Sequence, residues 1–233
     1  MKRYIIYAPH KCGSSVLQRI TSGATNVNIQ PDKDFIIQTD RGEAKLHFSR
    51  KLDLNQKFTE EDRFVFIPRN PISICISAYY SFGYTHRKPS RLSDAQFMRW
   101  RGKIQKAGLE GYVNNNIKDR CISIQNILGF DCNNKTIIPY ELMITNFSDF
   151  LKNYLTAIDM SSSYQSAHSK WNSEFDPIVD QSDLIESGEI KTHKRTTDIY
   201  EWKKKLNQTK LQNILEEYPV INEDFELLST YNI

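Results

Sequence analysis

"YIIYAPHKCGSSVLQRI", residues 4–20, decides how the chain folds. Its apolar opening, Tyr4 to Ala8, has the length and character of a buried strand. From Ser14 onward, Val16, Leu17 and Ile20 recur at helical spacing, which predicts a helix to about Ser22. Between them lies a tight loop of small and polar residues. A strand, a loop and a helix start together offer free backbone N–H groups and the positive end of a helix dipole, the elements of an anion site. Gly13 lets the backbone approach an anion closely. Ser14 and Ser15 add hydroxyl donors, and Lys11 adds a mobile positive charge. The same residues also suit an ordinary turn capped by serine. The nucleotide-hydrolase pattern G-x-x-x-x-G-K-[ST] is absent, because Lys11 precedes the loop's only glycine.

Further along, strand and helix patterns alternate. Residues 35–38 and 43–48 read as strands joined by a turn at Asp40-Arg41-Gly42. "RFVFIP" (63–68) is a continuous apolar run, as found at the centre of a parallel sheet. Asn70 then reads as an N-cap and Pro71 as the first helical residue. Ser93 can cap a helix carrying Phe97, Trp100 and Ile104. A second helix carries Ile117, Cys121, Ile124 and Leu128, with Gly129 just past its end. "KTIIPYE" (135–141) is another buried-strand candidate, and Thr145 can cap a helix through Phe150 and Tyr154. Residues 160–200 read as polar and irregular, and a last helix runs from about Thr209 to Tyr218. The pattern predicts an α/β fold: a single domain, 1–233, with a central parallel sheet flanked by helices and ligands at the strands' carboxyl ends.

Composition sets limits. The 233 residues suffice for one sizeable core, and 39% hydrophobic with 25% charged residues fits a soluble globular chain. A net charge of +3 is too weak to argue for nucleic acid. The N-terminus reads as a first strand rather than a signal peptide, and no apolar stretch approaches the roughly 20 residues of a membrane span. Cys12, Cys75, Cys121 and Cys132 form no C-x-x-C pair and have no ligand spacing for zinc. They are expected to be reduced thiols of a cytoplasmic protein.

A second anion-binding candidate follows the central strand. Arg69 stands where a metal-dependent phosphate site would place its Asp, and Ser77 lies eight positions on, two helical turns away. Arg can grip a phosphate with two hydrogen bonds and Ser can add a third. Alternatively, Arg69 pairs with a carboxylate and Ser77 is a small packing residue.

Here the motifs resemble those of PAPS-dependent sulfotransferases. "PHKCGSS" (9–15) resembles the P-K-[ST]-G-T-T loop that receives the donor's 5′-phosphosulfate. "RNPISICISAYYSF" (69–82) resembles the 3′-phosphate motif, an Arg followed eight residues later by Ser and then aromatics. "PYEL" (139–142) is similar to the family's Y-E-D-L segment, and "RTTDIYEW" (195–202) to its R-K-G-x-x-G-D-W block. The resemblance implies the P-loop-like sulfotransferase fold and the transfer of a sulfuryl group from PAPS to a hydroxyl of a carbohydrate or other small molecule, without a metal. Lys11 would stabilise the leaving phosphate. Cys12, Gly13, Ser14 and Ser15 would wrap the 5′-phosphate. Arg69, Ser77 and Arg195 would hold the 3′-phosphate. Tyr140 would lie near adenine, as would Ser162 and Tyr164 through the likeness of "SSYQ" (162–165) to a T-S-F-Q segment. "KLHF" (45–48) resembles the family's K-[ST]-H segment. His47 would then be the general base and Lys45 would orient groups around the sulfuryl. A neutral imidazole suits proton removal from a hydroxyl, and His10 is a rival beside Lys11.

The chain departs from the family at several positions. Val16 stands where a Trp is usual, His10 is an insertion before the lysine, and Thr196 and Thr197 replace K-G, with Lys194 as a substitute cation. Two other functions share these features: a Mg-dependent small-molecule kinase, and a non-catalytic nucleotide-binding module. The basic segment "GYTHRKPSR" (83–91) could meet an acidic saccharide or be a solvated loop.

Overall fold

The computed structural model describes residues 1–51, 57–172, 178, 180–190 and 196–222. Strand β1 (Arg3–Tyr7) leads into α1 (Ser14–Thr25), and a hairpin follows, β2 (Lys33–Thr39) with β3 (Gly42–Ser49). Strand β4 (Asp62–Phe66) precedes α2 (Pro71–Tyr80), one π-helical turn (Ser81–Thr85) and the long α3 (Asp94–Leu128). Then come β5 (Lys135–Ile137), α4 (Tyr140–Thr145), α5 (Phe147–Ala157) and α6 (Tyr164–Trp171). The short α7 (Ser182–Glu186) and α8 (Trp202–Lys205) lead to α9 (Gln208–Glu217). The chain forms two compact units.

The first unit, Met1–Arg69 with Ile127–Asp176, holds the sheet, in the order β2-β3-β1-β4-β5. Strands β3, β1, β4 and β5 are parallel, and β2 is antiparallel because it is the hairpin partner of β3. Alternation along the strands sends Tyr4, Ile6, Leu46, Phe48, Val65 and Ile67 to one face. There they meet Leu17 and Ile20 of α1 and Phe150, Leu151 and Tyr154 of α5. On the other face Phe64 and Phe66 pack with Phe58 and Phe130, with ring centroids 4.9 Å apart for Phe58–Phe64 and 5.5 Å for Phe66–Phe130. Among the described residues no side chain caps α1. A cap contributes about 1 kcal/mol, whereas each buried Leu or Ile contributes roughly 1.5–3 kcal/mol. Packing therefore docks α1 without a side-chain cap.

At the sheet's amino end the charges are paired. Arg3 grips Asp62 with two hydrogen bonds of 2.9 and 2.5 Å. Asp159 receives Lys2 at 2.8 Å, Arg41 at 3.4 Å and the Tyr4 hydroxyl.

The second unit, Asn70–Asn126 with Pro177–Glu223, is helical. Asn70 caps α2 as expected, accepting from the N–H groups of Ile72 and Ser73. Gly108, at φ 67° and ψ 173°, interrupts α3, which agrees with the two helices expected there. Lys205–Asp180 (2.7 Å) and Lys210–Glu110 (2.6 Å) link the later helices to this unit.

Three expectations are corrected. The strand at 135–141 stops at Ile137, because Pro139 has no N–H for the ladder and Tyr140 starts a helix. Asn146, not Thr145, caps the helix that follows, accepting from the Asp149 N–H. Residues 160–200, expected to be irregular, contain α6 and α7. In α6 the helical face rests on a single buried residue, Ala167, which leaves little apolar periodicity to read.

Candidate functional site

The loop that follows β1 has two left-handed residues, Lys11 (φ 73°) and Gly13 (φ 72°), on either side of the buried Cys12. Glycine adopts this conformation freely, while lysine does so at a cost. Backbone alternating in this way turns successive N–H groups toward one concavity, a shape suited to anions. The Cys12 N–H donates to the Pro9 carbonyl at 3.1 Å, and the Gly13 carbonyl accepts from Val16 and Leu17 as α1 begins. Gly13 is also hemmed in. A Cβ there would lie 2.9 Å from Met143 Cε and 3.3 Å from the Tyr140 ring. The start of α4 thus rests directly on the loop.

Arg69, just beyond β4, completes this arrangement. Its Nη1 donates to the Lys11 carbonyl at 2.8 Å, and its guanidinium lies 4.2 Å from the Tyr140 ring centroid. Its Nε is buried without a partner among the described residues. The Lys11 ammonium has a pKa pushed down to about 8, first by burial and second by the Arg69 charge. Two cations that oppose each other's charge therefore share the carboxyl ends of β1 and β4. These are the neighbouring central strands whose connections run to opposite sides of the sheet, where open α/β folds form ligand crevices. The guanidinium and the helix N-terminus are groups that suit a multivalent anion.

The other predicted residues are distributed differently. Ser14 is buried and Ser15 exposed, both in the first turn of α1. Ser77, in the second unit, is the one residue among the ten of α2 that is not fully buried. His47 pairs with Asp34, Nδ1 to Oδ1 at 2.8 Å, and is level with Ile5 in the register. That is two residues, about 7 Å, short of Ser49 at the strand's carboxyl end. Lys45 is exposed and level with Arg3, at the far end from the loop. The structure does not bring Ser162 to the loop. Its N–H and hydroxyl bond Asp40 at the β2–β3 turn, on the amino side of the parallel strands. Tyr164 starts α6, with its hydroxyl 2.7 Å from Ser148. His10 is exposed in the loop. Arg195 and Lys194 lie outside the described residues. Among the described residues no three His, Cys, Asp or Glu side chains gather as metal ligands would, and no helix is long and apolar enough to cross a membrane. All four cysteines are free thiols.

One basic residue escaped the sequence reading. Arg50 follows β3 directly and donates from Nη2 to Gln18 Oε1 of α1 at 3.2 Å. Its signal was the S-R-K run that closes the strand, the counterpart of Arg69 after β4.

No protein-family model matches the chain, and no curated protein matches it in sequence. In three dimensions it is similar to the crystal structure of mouse sulfotransferase SULT7A1 complexed with PAP. The TM-score is 0.54 at 15% identity, covering 99% of this chain and 88% of the mouse chain. The chain therefore has the sulfotransferase fold: mixed α/β, with a five-stranded, mostly parallel sheet flanked by helices.

Proposed function

We propose that this chain is a PAPS-dependent sulfotransferase that moves a sulfuryl group to a hydroxyl of a carbohydrate or other small molecule. One observation carries the reading: the half-buried Lys11 and the Arg69 guanidinium share the carboxyl ends of β1 and β4, at the start of α1. The likeness to a sulfotransferase structure with PAP supports the class.

In this reading the donor's 5′-phosphate takes the N–H groups of the loop and of the first turn of α1, with Ser14 and Ser15 adding hydroxyls. The 3′-phosphate takes Arg69. Tyr140, already stacked on Arg69, borders the base. The acceptor oxygen forms a bond to sulfur while the bond from sulfur to the bridging oxygen breaks. Lys11 neutralises the charge arriving on that oxygen. The products are a sulfate ester and adenosine 3′,5′-bisphosphate. The acceptor's proton goes to a base. His47 is assigned this role: with Asp34 accepting from Nδ1–H, its Nε2 is the proton acceptor. His10 is the competing residue, and H47A and H10A separate the two by their loss of turnover. Four free thiols support a cytoplasmic location.

A thermal-shift comparison tests the class. Adenosine 3′,5′-bisphosphate should raise the unfolding temperature, and ATP with Mg²⁺ should not match it. The reverse order would favour a kinase. Stabilisation without transfer from labelled PAPS to any of a broad acceptor panel would favour a non-catalytic module.

A further inference from the structure

We infer that Arg50 reads the sulfuryl group of the donor and that Gln18 positions it, an inference that rests on the sulfotransferase reading above. Strand β1 has a parallel neighbour on each side. Each neighbour ends in an arginine: Arg69 beyond β4, Arg50 beyond β3. The register sets Ser49 level with Tyr7, and the Ala8 N–H donates to the Ser49 carbonyl at 3.0 Å. Arg50 therefore begins where the anion loop begins, on the flank opposite Arg69. Its guanidinium reaches Gln18, one turn past Ser14 on α1, so it lies along the opening turns of that helix.

The chemistry of the pair points to an anion. Among the described residues Gln18 is the one side chain that Arg50 bonds, and an amide leaves the guanidinium charge uncompensated. Among the described residues Arg50 Nε is buried with no partner. An unmet buried donor costs on the order of 1–3 kcal/mol, and an oxyanion set on this fork would remove that cost. With the 5′-phosphate on the loop and the nucleoside toward Arg69, the sulfur end of the anhydride projects to the β3 flank. The sulfuryl group brings three acceptor oxygens there, matching a planar fork better than a point-charge ammonium would. The product bisphosphate lacks this group, so Arg50 separates donor from product.

The test is calorimetric, at one fixed salt concentration, with PAPS and with adenosine 3′,5′-bisphosphate. Wild type, R50A, R50K and Q18A are compared. R50A should weaken PAPS about tenfold or more while the bisphosphate stays within about twofold. R50K keeps the charge but not the fork and should fall between. Q18A should lower the preference for PAPS by a smaller factor without altering bisphosphate affinity, a change that simple loss of packing would not produce. If R50A unfolds, R50K carries the same comparison. Equal effects on both nucleotides, or none on either, overturn the inference while leaving the class standing. A wild-type protein that binds neither nucleotide overturns both.

Discussion

The two ends of one sheet handle charge in opposite ways. At the amino end Arg3 meets Asp62, and Lys2 and Arg41 meet Asp159. The hydrogen bonds and charges from these partners outweigh burial and hold both carboxyls below their ordinary range. At the carboxyl end Lys11 is half-buried beside Arg69, and its pKa falls. The first arrangement closes the fold. The second sets two cations side by side, with the Arg69 charge helping to lower the Lys11 pKa.

The largest expected effect is at Lys11. K11M should lower sulfuryl transfer by about a hundredfold or more while the protein stays folded. A variant that loses activity only by unfolding would break the contrast. D159A should do the opposite. Leaving Lys2, Arg41 and the Tyr4 hydroxyl without their acceptor should cost roughly 2–4 kcal/mol in a urea titration, with bisphosphate affinity unchanged. Weakened nucleotide binding in D159A would mean that the two ends are not separate.

The ends should also answer pH differently. The folded pKa of Lys11 is about 8 against an ordinary 10.5, so the unfolded chain holds more protons between those values. Its contribution makes the free protein more stable as pH rises through that window. A bound dianion favours the protonated lysine, so bisphosphate affinity should fall above pH 8, by at most about tenfold per pH unit. Affinity that is flat from pH 7 to 10 would remove Lys11 from the site. At the amino end, the depressed carboxyls of Asp62 and Asp159 contribute stability above their ordinary 3.8, and that contribution is lost as pH falls below it. The smallest effect is expected for S162A, which loses exposed bonds to Asp40. It should leave both the unfolding midpoint and bisphosphate affinity essentially intact, whereas a clear loss of affinity would bring Ser162 back to the nucleotide.

Much of this was legible in the order of residues. The β1–loop–α1 unit, the cap at Asn70 and the hairpin turn each depend on neighbours within a few positions, where hydrophobic period and capping chemistry act locally. Lys11 and Arg69 could be picked as cations at strand ends. Their mutual contact, 58 positions apart, could not. Ser162 shows the limit from the other side. A four-residue likeness put it near adenine, but its place follows from Asp40, 122 positions away. The short helices α6 and α7 carried too few buried residues to reveal their period.

The sequence alone determined the α/β class and a tight strand–loop–helix turn at the end of the first strand, because strand alternation, helix periodicity and glycine freedom are local properties. Only the tertiary structure decided which cations would share that loop. Strand order put β3 and β4 on either side of β1. Register then set Arg50 and Arg69 beside the loop and left His47 two residues short of the strand's end. Pairing across a sheet follows from long-range burial and hydrogen bonding, which no local stretch of residues encodes.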